Sequence, residues 1–541
     1  MTSGHGCLPR AVDAVVIGGG PNGLVSAALL ADAGWSVLLL EAQDELGGAV
    51  KSRVQDGWTM DRFSACYPLA KASPILRELD LHEHGLVWAD AEHVLAHPLG
   101  PDDERGALIH SDRRLTAANL AEENPADGAA WLQLCDQYDR VSKDFLDALL
   151  TAWPPINSAR RLMKSLGGPP ALLRFARFLA LPAYRMGQET FVGQRGRALL
   201  AGNAMHADAP MDAPVSGMMG WLMAMLAQSV GFCAPVGGAG QLTAALARRA
   251  RAAGAELATG EPVVGIDVRG GQAVGVRTAS GHRIAARRAV IADTAVTSLY
   301  QDLLADADLP AELLAELDKF EWDLPTVKVN YRLRSTPAWT AVHARSAGVV
   351  HAGADSAGLV RWSADLTTGR IPQTPFCLIG QMTTVDPTRS PSGTQAMWAY
   401  THLPRGVHDE SSAQLLADRV DDMIERHAPG FGAAIIDREV QTPDSLSAED
   451  ANLVGGAVGG GTTQLFQQLV FRPVPGVGGA RTVVDNLYLG SAAIHPGGGV
   501  HGACGAFAAR AAISDHTRLG TVRQQLASTV LDRIYRGRKT V

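Results

Sequence analysis

A glycine-rich turn caught between an apolar strand and a helix constrains the start of this 541-residue chain more than any other feature. Residues 14–17 are short, apolar and β-branched, which is the pattern of a buried parallel strand. Gly18-Gly19-Gly20-Pro21-Asn22-Gly23 follows at once, then a helical pattern over 24–33 that Gly34 stops. Residues 36–40 predict a second strand, closed by Glu41 and Ala42. G-x-G-x-x-G in this setting predicts a dinucleotide site. Gly18 permits the tight turn, Gly20 lets the backbone approach a pyrophosphate, and Gly23 lets the helix pack closely on the strand. Pro21 and Asn22 open a helix whose N-terminal N–H groups and positive dipole end suit phosphates. Glu41 stands where a carboxylate accepts hydrogen bonds from the adenosine ribose.

Gly47 and Gly48, followed by Ala49, supply the next clue. A Gly-Gly pair shortly past the ribose carboxylate resembles the extended nucleotide motif of glutathione-reductase-like flavoproteins, and implies a second close backbone approach to the dinucleotide. NAD dehydrogenases generally lack it, so the expected cofactor is FAD. Many relatives carry an Arg directly after the doublet. Ala49 occupies that place here, so no role is carried over for that Arg.

Bulk properties narrow the setting. The length exceeds one ordinary core and predicts two packed domains. Hydrophobic residues at 46% and charged residues at 19% are globular values, and a net charge of -7 gives no reason to expect nucleic acid as a partner. The six cysteines are scattered singly without a C-x-x-C pair, so neither a metal site nor a dithiol centre is expected. Single thiols suggest a reducing compartment. No signal-peptide pattern and no apolar run of roughly 18 residues is present. The expected location is cytoplasmic, with peripheral membrane contact left open.

Beyond residue 235 the pattern returns to short strands. A glycine turn precedes a helical pattern over 242–253, and apolar stretches over 256–266, 274–278 and 283–291 read as a β-meander rejoining the nucleotide domain. Near the C-terminus, residues 486–505 read strand, glycine-rich turn, then an alanine-rich helix through Ile513. This block contains Gly490, Ser491, His495, Gly498, Gly499, Val500 and His501. Such a turn aims N–H groups at a negative group, and a reduced flavin carries negative charge near N1 and the C2 carbonyl. Residues 455–461 are also rich in glycine but lack a preceding strand, and read as a flexible loop.

These blocks, with the Leu-Tyr-Leu-Gly-Ser and His-Pro-Gly-Gly-Gly-Val strings and the preceding Phe471-Arg472-Pro473, resemble the phytoene-desaturase-like flavoproteins, in particular a branch named for a pyridine nucleotide-disulfide oxidoreductase domain. The resemblance runs from about residue 12 to 515. It implies an α/β fold: a glutathione-reductase-like FAD-binding Rossmann domain with a discontinuous α+β substrate domain. The expected boundaries are 1–90, 235–300 and 480–520 for the FAD domain and 91–234 and 301–479 for the substrate domain. A basic helical tail (Arg533, Arg536, Arg538, Lys539) is expected at 521–541. In flavoproteins of this type the position of Val263 lines the adenine through its backbone.

The resemblance further implies hydride transfer from a hydrophobic, isoprenoid- or carotenoid-like substrate to flavin N5, with an unidentified electron acceptor. His495 and His501 flank the glycine turn and are the candidates for a catalytic base. Met218, Met219, Trp221, Met223 and Met225 are candidates for a tunnel wall or for core. Basic residues Arg160, Arg161, Lys164, Arg174, Arg177 and Arg185 interleave with apolar ones, which suits either an anionic membrane or a solvated helix. Two other functions stay open: an amine-oxidase-type enzyme, and a flavin-bound isomerase or interaction protein without net redox chemistry. An amine oxidase is expected to show an aromatic cage, and the C-terminal block offers only Tyr488.

Overall fold

Strand Ala11–Ile17 is buried at Val12 and throughout 14–17, and it pairs in parallel with Val37–Leu40 on one side and Arg283–Ala292 on the other. Parallel neighbours need a crossover, and helix Pro21–Asp32 supplies the first one. Its proline sits at the first turn, where the missing N–H costs nothing. The computed structural model describes residues 8–517 together with 531, 534 and 535. The basic tail residues Arg533, Arg536, Arg538 and Lys539 lie outside the described residues.

The sheet built on these strands runs in the order Val263–Arg269, Gln272–Thr278, Arg283–Ala292, Ala11–Ile17, Val37–Leu40, Glu256–Ala258, with Leu487–Leu489 also pairing Arg283–Ala292. Three stretches far apart in sequence thus form one sheet. Helices Gly240–Ala252 and Ala503–Asp515 pack against helix Pro21–Asp32. The second of these contacts is close because Gly505 carries no side chain: a Cβ there would lie 2.0 Å from Asn22 O.

A second sheet runs Ile435–Gln441, Thr326–Leu333, Gln395–His402, Cys377–Gln381, Ala347–Ala352, His93–His97, Ala107–His110. All neighbours are antiparallel except Ala347–Ala352 with His93–His97. Strand alternation divides the work of Thr326–Leu333. Val327, Val329, Tyr331 and Leu333 pack in one core with Leu416, Val420 and Ile424 of helix Glu410–His427. Lys328 and Asn330 point to the other face.

Helices between residues 125 and 230 surround a core centred on Trp221, which Tyr138, Phe145, Phe175 and Phe178 ring at 5.3–5.8 Å between centroids. Helix Ser216–Val230 therefore splits its large residues by face. Trp221 and Met225 are buried in that core, Met218 packs on its edge, and Met219 with Met223, four residues apart, line the cavity described below. Two basic helices, Ile156–Ser165 and Pro169–Ala180, cover this core, contributing Leu162 and Phe175 to it while most of their other residues face outward. Among the described residues, no helix is long and apolar enough to cross a membrane.

Candidate active site

The N-terminal turn is shaped by backbone contact. Gly18 has φ +98°, and a Cβ on Gly23 would fall 2.0 Å from Gly18 O, so neither position accepts a side chain. Gly47 N–H donates to Gly19 O at 2.9 Å, which lays the Gly47-Gly48 doublet on the turn. Glu41 reaches the same turn: Oε2 accepts Gly19 N–H at 2.7 Å and Oε1 accepts Gln43 N–H at 2.9 Å. Each carboxylate oxygen keeps a lone pair for a ribose hydroxyl.

A cleft opens above this turn. Gly20, Pro21, Asn22, Gly48 and Ala49 form one side, and Ser491, Gly498, Gly499 and Val500 form the other. Both ends of the chain therefore meet across it. Gly18, Gly23, Glu41 and Gly47 lie beneath the wall as its support. Gly490 also supports it from below, donating its N–H to Ala292 O at 2.8 Å. Ala42 is exposed to solvent, away from the cleft wall. Val263 begins its strand opposite Thr278 and is not in the wall; its neighbour Glu261 donates an N–H to Glu41 O at 2.9 Å, which keeps this strand beside the ribose carboxylate.

Three residues that the motif reading passed over complete the cleft: Asp293, Asp450 and Asn452. Asp293 Oδ2 accepts Gly23 N–H at 2.8 Å. Burial pushes its carboxyl up to about 7, with Asp450 and Glu41 adding to the rise and the Gly23 hydrogen bond opposing it. Burial raises Asp450 as well. Asn452 ties the two parts together, accepting Ala295 N–H at 2.7 Å and donating to Asp293 O at 3.1 Å. Asp293 had a legible signal, since it ends a strand parallel to Ala11–Ile17 and ligands bind at the carboxyl ends of such strands. No Lys or Arg is among the cleft-lining residues. Backbone N–H groups at the helix N-terminus are left to meet a diphosphate. The cradle that side chains would fill, the close doublet and the free lone pairs of Glu41 fit FAD.

A cavity of about 330 Å³ adjoins the cleft and shares Ala49, Val458, Gly498, Gly499 and Val500 with it. Its wall is mostly apolar, with Phe63, Leu69, Met219, Met223, Phe232 and Leu446. Trp398 and Tyr400 also face it and stack at 5.9 Å and 27°. An aromatic pair is therefore present, but it comes from the second sheet and not from the C-terminal block. Tyr488 is buried elsewhere, hydrogen-bonded to Asp515 at 3.0 Å.

The polar groups of this wall are few. Lys328 Nζ donates to the Asp61 carbonyl oxygen, and burial brings its ammonium down to about 7. His402 is pushed down to about 4 by burial. Asp323 accepts the N–H groups of Val458 and Gly459 at 2.7 Å and of Gly461 at 3.0 Å. Asp208 accepts Thr463 N–H at 2.7 Å and Arg405 Nη2 at 2.9 Å. Arg472, fully buried, donates to the carbonyls of Gly459, Gly460, Gly461, Thr462 and Ala492. The glycine-rich stretch 455–461, expected to be a flexible loop, is instead a pinned wall. Asp323 holds its N–H groups and Arg472 holds its carbonyls.

His495 and His501 do not line the cavity. The turn folds them inward. Ser73 Oγ donates to His501 O at 2.7 Å, and His501 Nδ1 accepts Ala503 N–H at 3.0 Å. Burial pushes both imidazoles down to about 4. The wall's titratable groups include Lys328, His206, His402, Asp208 and Asp323, together with Cys66, Tyr67 and Tyr400. Lys328 had a signal in the sequence: it is a charge in mid-strand, flanked by Val327 and Val329.

Comparison with known proteins agrees with this geometry. The chain is 28% identical over 95% of its length to pyridine nucleotide-disulfide oxidoreductase domain-containing protein 2 of Rattus norvegicus, and 95% of that protein is covered. It is 25% identical to a lycopene-forming phytoene desaturase of a Paracoccus species, over 93% of this chain and 97% of that one. An oxidoreductase structure from Methanosarcina mazei shares the fold, with a TM-score of 0.57 at 15% identity, over 92% of this chain and 99% of that one. A family model, flavin containing amine oxidoreductase, matches residues 22–512. With nearly the whole chain matched, from the glycine turn to the C-terminal helix, this FAD-dependent oxidoreductase belongs to the flavin-containing amine oxidoreductase family.

Proposed function

We propose that the chain is a dehydrogenase or desaturase that oxidises a hydrophobic, isoprenoid-like substrate. The apolar cavity adjoining the FAD cleft carries this reading, because Phe63, Leu69, Met219, Met223 and Phe232 offer a long hydrocarbon dispersion contacts and little to bind a small polar molecule. When bound, FAD supplies the two-electron acceptor for a hydride leaving substrate carbon. The protein's own groups do the rest. Gly498, Gly499 and Val500 separate cleft from cavity, the apolar wall excludes water, and Lys328 takes a proton where the reaction releases one. Anaerobic titration of the holoenzyme with a detergent-solubilised polyene hydrocarbon tests this, with loss of flavin absorbance at 450 nm as the readout. Bleaching supports the reading. Bleaching by aliphatic amines alone overturns it.

That second outcome has its own support. The Trp398–Tyr400 stack and the Asp208–Asp323 carboxylates would suit a cationic amine. Both carboxylates are already engaged by N–H donors, which weakens their pull on a cation. Bleaching by neither class would favour a non-redox role.

Peripheral membrane contact belongs to the same reading. Ile156 is 61% exposed and Leu173 74% exposed on the two basic helices. Arg161 pairs with Asp144 and Asp147, and Arg177 and Arg185 pair with Glu189, which lowers the net positive charge of that face. Flotation with anionic vesicles, with and without an Ile156→Glu, Leu173→Glu double change, decides it. Equal flotation of both proteins would exclude this face.

A further inference from the structure

Lys328 reaches the cavity wall while held by a carbonyl that a buried ion pair fixes in place. Its ammonium donates to Asp61 O, and Asp61 closes strand Trp58–Asp61. The Asp61 carboxylate has three partners. Oδ1 accepts Ser52 Oγ at 2.7 Å and Ala239 N–H at 2.9 Å, and Oδ2 accepts Arg389 Nη2. Arg389 ends the short turn Pro387–Arg389 and donates through Nε to Thr59 O at 3.2 Å. The guanidinium therefore grips this strand at two places, one of them on the residue whose carbonyl meets Lys328. The side chains of Asp61 and Arg389 have no exposed surface, and neither residue lines the cavity.

A buried ion pair is a poor device for stability alone, because desolvation offsets much of its attraction. This one also leaves Arg389 Nη1 buried without a hydrogen-bond partner. Its place beside Lys328 gives it another use. Asp61 touches the ammonium through its carbonyl and the guanidinium through its carboxylate, so it stands between the two cations. Of the charges acting on Lys328, Asp61 is the strongest, followed by Arg62, Glu439 and Arg389 in that order. Arg62 and Glu439 oppose each other, joined by two hydrogen bonds of 2.8 Å. The neighbouring strands set Tyr400 and Gln441 opposite Lys328. Burial pushes the Tyr400 phenol up, so it stays neutral, and Gln441 carries no charge. In the cavity wall, burial holds His206 and His402 down at about 4 and Cys66 up at about 12, so all three are neutral near pH 7. Asp208 and Asp323 there are engaged by their own N–H donors. The Asp61–Arg389 pair is then the uneven influence in contact with the ammonium.

We propose that Asp61 and Arg389 are positioning residues for Lys328: the pair pins the carbonyl that holds the ammonium at the cavity wall, and by setting a carboxylate nearer than a guanidinium it tunes the proton affinity of Lys328. This deepens the preceding reading and rests on Lys328 being the group that takes the proton.

The first test follows Lys328 itself and needs no substrate. The chain has seven lysines, so ¹³C-lysine labelling of the full-length holoenzyme gives few Cε signals in NMR, and Lys328→Met assigns the one that matters. Arg389→Gln leaves the Asp61 carboxylate unopposed and should raise the midpoint of the Lys328 titration by about one pH unit or more. Asp61→Asn leaves the guanidinium unopposed and should lower the midpoint by a similar amount. The double variant leaves neither charge unpaired. Because the carboxylate is the nearer partner, its midpoint should fall between those of Asp61→Asn and the wild type. Single variants that move the midpoint in the same direction, or not at all, overturn the proposal. If a single variant loses its fold, the double variant decides: a midpoint below the wild-type value supports the proposal, and one equal to it or above overturns it. The pH profile of anaerobic flavin reduction then separates the pair from the reading it rests on. Its rising limb should move with the NMR midpoint in every variant. A limb that stays while the midpoint moves overturns Lys328 as the proton acceptor, and the pair's part in the reaction with it.

Discussion

The N–H of Gly23 donates to Oδ2 of Asp293 at 2.8 Å, so the first turn of the N-terminal helix is held by a carboxyl group 270 residues away in sequence. That carboxyl is raised from its ordinary 3.8 to about 7, first by burial and then by Asp450 and Glu41. Between about pH 4 and 7 the folded state therefore holds a proton that the unfolded state has released. Stability is greatest below the unfolded value and is lost as pH rises towards the folded one, by an amount on the order of a few kcal/mol. Asp293→Asn keeps an acceptor for Gly23 and removes the titration. Apoprotein melting curves across pH 4–8 should show a downward slope for the wild type that is absent from the variant. Parallel slopes would show that Asp293 ionises as an ordinary carboxylate.

The same hydrogen bond depends on a glycine. A Cβ on Gly23 would lie 2.0 Å from Gly18 O, a contact that only backbone displacement can relieve. Gly23→Ala should therefore abolish FAD retention and cost stability on the order of 4 kcal/mol or more. Gly100→Ala is the matched control, because nothing lies within 4 Å of a Cβ there. Flavin-to-protein absorbance ratios after gel filtration should fall towards zero for the first variant and stay at the wild-type value for the second. A Gly23→Ala protein that keeps its flavin would mean the turn can shift.

How much of this was legible depended on distance along the chain. The glycine turn, Glu41 and the Gly47-Gly48 doublet are local, and strand, turn and helix periodicity announce them together. The facing turn at Gly498, Gly499 and Val500 was legible for the same reason. Asp293 had a signal that was passed over, at the carboxyl end of a parallel strand, but Asp450 and Asn452 had none, because their role arises only when three segments meet over one helix N-terminus. His495 and His501 show the opposite failure: they sit in the right turn, but the turn points them inward, and no periodicity reports which way a loop side chain faces. Lys328 could have been found, since an ammonium between Val327 and Val329 has no reason to be buried unless something polar meets it. The 455–461 stretch looked unstructured because the partners of its backbone, Asp323 and Arg472, are not its neighbours in sequence.

Arg472 makes that last point measurable. Its guanidinium donates to five different carbonyls around the cleft, and among the described residues no carboxylate accepts a hydrogen bond from it. Arg472→Met would fill the volume but leave those carbonyls unpaired in a buried site, at a cost of about 3–5 kcal/mol by analogy with broken buried ionic networks. Because the loop it holds forms wall for both cleft and cavity, FAD affinity should fall together with denaturant stability. Arg472→Lys should rescue only part of either, since one ammonium with three donors cannot serve five carbonyls. Loss of stability with unchanged FAD affinity would separate the loop from the cofactor site.

Lys328 is where the acid–base chemistry of the cavity should be read. Its ammonium is brought down from 10.5 to about 7, chiefly by burial, with Asp61 and Glu439 opposing the fall and Arg62 and Arg389 adding to it. Below that value the group is charged and cannot accept a proton; above it the neutral amine can. The rate of anaerobic flavin reduction by a productive substrate should therefore rise with pH through about 7 and level off. Lys328→Met should remove that limb and slow reduction by about 10²–10⁴-fold, the range for loss of a general base. Flavin content should stay near the wild-type level, because Lys328 lines the cavity and not the cleft. A Met variant that keeps both the rate and the limb would show that the proton leaves by another group, and His402 and the Asp208–Asp323 pair in the same wall would be the next to change.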